Sequence, residues 1–123
     1  MGNTTKPTAT AEGALFTAQD ALSRLPGAGG EAYAELFRHG TLSIEIYAPR
    51  GHDPQQPHTR DEAYAVISGQ GTFRCGGRSF AFGPGDFLFV PAGVPHRFEG
   101  FTDDFATWVM FYGPEGGERA ADA

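Results

Sequence analysis

The run Gln56-Pro57-His58-Thr59-Arg60-Asp61-Glu62 places an amide, an imidazole and two carboxylates directly before the apolar stretch AYAVISG. A solvated loop needs no such selection of donors at the mouth of a buried strand, whereas a metal site does. His58 and Glu62 stand at i and i+4. On a helix they would share a face, but Pro57 and the strand-like continuation argue for extended chain. There, residues of equal parity share a face, so Gln56, His58, Glu62, Tyr64 and Val66 point one way and Asp61 the other. His96, in PAGVPHRF, is distant in sequence, and Pro91 and Pro95 stiffen its approach. Two imidazoles, a carboxylate and an amide oxygen form a mixed nitrogen and oxygen set suited to a first-row divalent metal. Spacing alone leaves a second reading open, in which both histidines are ordinary residues beside turns.

The elements that must position these groups are short. TAQDALSRLPG carries the one helix signal, with Thr17 as cap, an apolar stripe of Ala18, Ala21, Leu22 and Leu25, and Pro26-Gly27 as the stop. From residue 31 the chain reads as strands broken at Gly or Pro: EAYAELF, TLSIEIYA, EAYAVIS, TFRC, SFAF, FLFV, HRFEG and FATWVMFY. With 18 glycines and 9 prolines, the pattern predicts an antiparallel sandwich or barrel rather than a doubly wound fold. In TLSIEIYA, Leu42, Ile44, Ile46 and Ala48 share one face. AYAVI and FATWVMFY are apolar on both faces, so something must cover the outer one. The helix covers part of it, and a second copy in a homodimer is expected over the rest. Residues 1–13 and 113–123 are polar, small and aperiodic, and are expected to be flexible flanks of one domain over residues 14–112.

Composition narrows the function. The formal charge is −6 and no basic run exists, which argues against nucleic acid and against an acidic membrane as partner. No apolar run approaches a membrane span, and MGNTTKPTATAEG lacks a hydrophobic signal region, so a cytoplasmic location is expected. Cys75 is the one cysteine and excludes an internal disulfide. Beside Gly76-Gly77 it reads as a turn residue rather than a reactive thiol. Arg60 reads as a rim charge, and His39 as a solvent-facing turn residue.

GHDPQQPHTRDEAYAVISG followed by GDFLFVPAGVPHRFEG resembles the two signature motifs of the cupin superfamily. Gly51, His58, Glu62 and Gly69 fit the first motif, with three residues between His58 and Glu62 and six between Glu62 and Gly69. Gln56 stands where that motif has its first histidine, one residue closer to Gly51 than the family spacing. Gly85, Pro91, Gly93 and His96 fit the second motif, with Gly100 in place of its final asparagine. The resemblance covers about residues 31–112. It implies an all-β, cupin-type antiparallel barrel or jelly roll, here with a short N-terminal helix. It also implies one divalent metal per chain (iron, manganese, nickel or zinc) held by Gln56, His58, Glu62 and His96. A glutamine in place of the family histidine removes a nitrogen donor and shifts preference away from copper.

On this resemblance the expected function is that of a metal-dependent enzyme acting on a small oxygenated molecule, as a dioxygenase, isomerase or lyase. Glu62 would be both a ligand and a catalytic proton carrier. The alternative is a non-catalytic cupin that binds a small molecule. Tyr64, Phe87, Phe89, Phe98 and Trp108 are the expected lining of the substrate pocket.

Overall fold

The computed structural model describes residues 8–10 and 13–119, with side chains from residue 13 onward. Calls on residues 1–7, 11–12 and 120–123 lie outside the described residues. Strands β1 (Thr8–Thr10) and β2 (Gly13–Leu15) pair antiparallel, so part of the segment expected to be a loose N-terminal flank is strand. Helix α1 (Ala18–Leu22) follows. Thr17 caps it as expected, its hydroxyl oxygen accepting from the Asp20 amide at 3.0 Å.

Eight further strands build the body: β3 (Tyr33–His39), β4 (Leu42–Tyr47), β5 (Asp61–Ser68), β6 (Gly71–Cys75), β7 (Arg78–Phe82), β8 (Phe87–Val90), β9 (His96–Glu99) and β10 (Ala106–Tyr112). They form a five-stranded sheet in the order β3-β4-β10-β5-β8 and a three-stranded sheet in the order β7-β6-β9, with every pairing antiparallel. This is the all-β architecture expected from the sequence. The core between the sheets is aromatic: Tyr64, Phe73, Phe82, Phe98 and Phe105 are buried together with Val66, Val90 and Val109.

Register decides which side chains face that core. Phe111 pairs with Glu62 and with Ser43, and Val109 pairs with Tyr64 and with Glu45. Directly paired residues share a face, so Ser43, Glu45, Tyr47, Glu62, Tyr64, Val109 and Phe111 line the inside. The alternate set lies outside: Ile44 and Ile46 on β4, Trp108 and Met110 on β10, Ala63 and Ala65 on β5, Phe87 and Phe89 on β8. The sequence presents Leu42, Ile44 and Ile46 as one apolar face, and that face turns out to be the outer one. Helix α1 covers it, packing Ala21 and Leu22 against Leu36, Ile46 and Trp108.

The outer face is left bare at β8. Phe87 is 65% exposed and Phe89 49%. A homodimer over this face remains our proposal for what covers it. The double substitution Phe87→Glu/Phe89→Glu is expected to shift sedimentation at tens of micromolar from dimer to monomer. A native chain that sediments only as a monomer would rule the dimer out.

Residues 113–118, expected to be part of a flexible tail, are fastened to the sheet. The Gly116 amide donates to the Thr59 carbonyl at 2.7 Å, the Glu118 amide to Asp61 Oδ2 at 2.8 Å, and the Gly113 amide to Thr41 Oγ1 at 3.2 Å.

Candidate metal centre

Glu62 enters the barrel interior from β5, 1% exposed. His58 reaches it from the loop before that strand and His96 from β9 in the opposite sheet. Glu62 Oε1 lies 3.0 Å from His58 Nδ1 and 3.1 Å from His96 Nε2. These separations are within hydrogen-bonding range, yet neither contact has hydrogen-bond geometry. All three atoms are buried and without a hydrogen-bond partner. Buried polar atoms are almost always satisfied, and three of the four orphans among the described residues, all but Arg60 Nη2, converge on one point, as ligands of a common partner would. The three ligand atoms lie within 4.8 Å of one another, as donors around one cation would.

The histidine tautomer fits this reading. His96 Nδ1 sits 2.9 Å from the Val94 carbonyl oxygen, which only accepts. Nδ1 therefore carries a proton, and Nε2, which faces Glu62, is the ring nitrogen placed to bind a metal once it is deprotonated. Burial would push the Glu62 carboxyl up, but the facing His58 and His96 imidazoles outweigh it and hold it below the usual carboxylate range. Burial pulls the His96 ring down, but Glu62 and the Val94 carbonyl outweigh that and leave it raised. A carboxylate held ionised between two imidazoles is a binding site for a cation, with protons as the competitor.

The two motif segments are locked together. The Gly93 amide donates to the His58 carbonyl at 2.7 Å, and the Ala92 amide to Asp61 Oδ1 at 2.9 Å. Gly93 makes this turn at φ 81°, where a side chain would be strained. Gly69, at φ 85°, has a second reason to be glycine: a Cβ there would sit 2.5 Å from the Phe105 Cα. Asp61 does point away from the cavity, as parity requires, but it is buried and joins the second motif to the C-terminal segment.

One aspartate organises the loop that carries Gln56 and His58. Asp53, 2% exposed, accepts from the Tyr47 hydroxyl, from the Gln55 amide at 3.2 Å and Gln55 Nε2 at 2.7 Å, and from the Phe98 amide at 2.9 Å. Gln55 Oε1 in turn accepts from the Tyr64 hydroxyl at 3.2 Å. Burial and the neighbouring Glu62 push the Tyr64 phenol far up, so it stays a proton donor.

The ligand cluster opens into a cavity of about 350 Å³, lined in part by Tyr33, Glu45, Tyr47, Gln56, Val109 and Phe111. Gln56 is exposed and lies at the wall of this cavity, while its neighbour Gln55 turns inward. Of the expected pocket aromatics, Tyr64 alone is placed beside the site, its ring centroid 6.3 Å from that of His96. Phe98 is sealed in the core, its ring packed against Phe73, Phe105 and Tyr64. Phe87 and Phe89 are on the outer face, and Trp108 lies under the helix. These four are corrected: the register of β8 and β10 with β5 turns Phe87, Phe89 and Trp108 outward.

Arg60 is not a free rim charge. It is half-buried, and its Nε donates to the Gly113 carbonyl at 3.0 Å. Cys75, on β6, pairs with His96 across β6 and β9, and burial, then the Glu62 carboxylate, push its thiol up.

Glu45 is the residue that sequence reading missed. It is a half-buried carboxyl on β4 facing the cavity. Burial, then the Glu35 and Glu62 carboxylates, raise it above the usual range. For an acid raised on folding, the fold is favoured most below the unfolded value and loses that advantage as pH climbs through the folded one. Glu45→Gln should therefore raise the melting temperature at pH 8 more than at pH 4. An equal shift at both pH values would show that Glu45 is not strained by its surroundings.

No helix among the described residues is long and apolar enough to cross a membrane. Residues 43–112 match the Cupin_2 family model, described as a cupin domain. The chain is 34% identical over 98 residues to an uncharacterized protein of Streptomyces coelicolor, covering 78% of this chain and 93% of that one. It is 29% identical over 103 residues to the dimethylsulfoniopropionate lyase DddQ of Ruegeria pomeroyi. That match covers 82% of this chain and 49% of DddQ, so the chain spans about half of that relative's length. Among solved structures, a Cupin 2 conserved barrel domain protein from Salinispora arenicola superposes with a TM-score of 0.56 at 18% identity, over 66% of this chain and 74% of that one. Two motifs on facing strands, a barrel that brings them together and a family match over more than half the sequence agree: the chain belongs to the cupin superfamily, as a Cupin_2 domain protein.

Proposed function

We propose that this cupin binds one divalent metal through His58, Glu62 and His96, and acts on a small oxygenated molecule held in the adjoining cavity. The observation that carries the reading is the convergence of three buried, unpartnered ligand atoms from a loop and two strands. Bound there, the metal would supply Lewis-acid polarisation of a substrate oxygen. Two imidazoles and one carboxylate leave positions open for substrate.

The protein's own contribution is proton handling. Glu62 is a ligand and a base held ionised, and Glu45 is a carboxyl raised above its usual range on the same cavity wall, while the Tyr64 phenol stays protonated and donates a hydrogen bond to Gln55. Groups of opposed protonation around one cavity suit removal and return of a proton. This favours isomerase or lyase chemistry over dioxygen chemistry, and the lyase name of DddQ points the same way. Elemental analysis of the purified chain should find one equivalent of a first-row metal. A chain that neither retains such a metal nor takes one up would overturn the reading.

Gln56 enters this proposal as a residue of the cavity mouth that orients what the metal binds. Gln56→Ala should leave metal content at the native level. A clear loss would restore Gln56 to the ligand set.

A further inference from the structure

A second hollow, of about 880 Å³, adjoins the metal cavity and is more than twice its size. The two share Tyr33, Tyr47 and Gln55 as wall residues. One side is apolar and comes from the end of α1 and the turn after it, through Leu22, Leu25 and Pro26. The opposite side is the first-motif loop, with Pro49 and Pro54. Arg50 and His52, both exposed, stand on this loop. The Arg50 Nη1 donates to the Ala48, Pro49 and Phe105 carbonyls at 3.1, 3.0 and 3.4 Å, which fixes the guanidinium in place. The metal cavity itself is lined by no lysine or arginine.

Resting on the metal reading above, we propose that the ligand is amphiphilic. Its oxygen-bearing head occupies the cavity at His58 and Glu62, and its apolar tail passes Tyr33 and Tyr47 to lie in the groove between α1 and the loop of residues 48–55. A head group alone would fill the smaller cavity and leave the larger, mostly apolar hollow unused. A polar group at the end of the tail would meet Arg50, His52 and the Glu31 carboxylate on the wall of the larger hollow. The sharing of three side chains by both hollows makes one ligand spanning them geometrically simple.

Alkyl hydroxamates test this, because the head chelates a metal and the tail length can be varied. Binding to the nickel-loaded full chain is followed by calorimetry. Acetohydroxamate should bind the loaded chain and not the metal-free one. Affinity should rise about three- to fourfold per buried methylene, reaching at least about thirtyfold for octanohydroxamate. Two independent substitutions in the groove, Pro54→Trp to fill it and Leu25→Lys to charge its wall, should each abolish the gain with tail length while acetohydroxamate binding persists. An octanoyl homologue that binds no tighter than acetohydroxamate would overturn the groove and leave the metal site standing. So would a gain that survives both substitutions. Failure of the loaded chain to bind either hydroxamate would overturn the metal reading and this inference with it.

Discussion

Replacing His58 and His96 together with alanine should empty the chain of metal. Each loses a nitrogen donor that no neighbouring group can replace, because the remaining ligand is the single Glu62 oxygen. Changing residues that merely support a ligand typically costs ten- to a hundredfold in affinity, so removing two ligands should cost at least about a hundredfold. Metal analysis after dialysis against a weak chelator reads the outcome, with circular dichroism to show that the barrel persists. Gln56→Ala serves as the comparison that keeps its metal. Retention by the double variant at the native level would place the metal, if any, elsewhere.

Asp53→Ala should be the most damaging single change to stability. It removes one acceptor group that answers four donors, two of them the buried Tyr47 hydroxyl and the buried Phe98 amide. Each buried donor left unsatisfied costs about 1–3 kcal/mol, so a loss of about 3–5 kcal/mol is expected. For a domain of this size that lowers the melting temperature by more than about 10 °C. The variant should also hold metal less well, since Asp53 anchors the loop that delivers His58. A melting temperature within a few degrees of the native one would show that water replaces the lost carboxylate.

The cluster of candidate ligands was legible in the sequence because two separate signals agreed on it. Parity put His58 and Glu62 on one face, and the resemblance to the two cupin motifs joined His96 to them. The fold was legible from the punctuation of short strands. What was not legible depended on register. FLFV is apolar at every position, so nothing in it says whether Phe87 and Phe89 or Leu88 and Val90 face inward. Pairing with Ala65 and Ala63 on β5 decides it. The same holds for Trp108 in FATWVMFY. In TLSIEIYA the alternation was read correctly, but its apolar face lies under the helix and its polar face lines the site. A barrel that encloses chemistry inverts the usual expectation that apolar residues point inward, and this hid Glu45. Asp53 was hidden for another reason: its partners come from β4, from the next two residues and from β9, and no local pattern connects them.

The place of β10 has a consequence for how the chain reaches this structure. It is the last strand in sequence, yet it sits between β4 and β5 in the middle of the larger sheet. As the chain leaves the ribosome, β4 has only β3 to pair with and β5 only β8, and each keeps an open edge facing the gap. Strand edges left open are where chains join one another wrongly. The pairings that close the gap link residues 42–47 with 106–112, so they are paid for with a long loop and form late. A nascent chain halted before residue 106 therefore carries all three candidate ligands, His58, Glu62 and His96, but lacks the strand that lines their cavity. Residues 113–118 then fasten the sheet over Thr59 and Asp61.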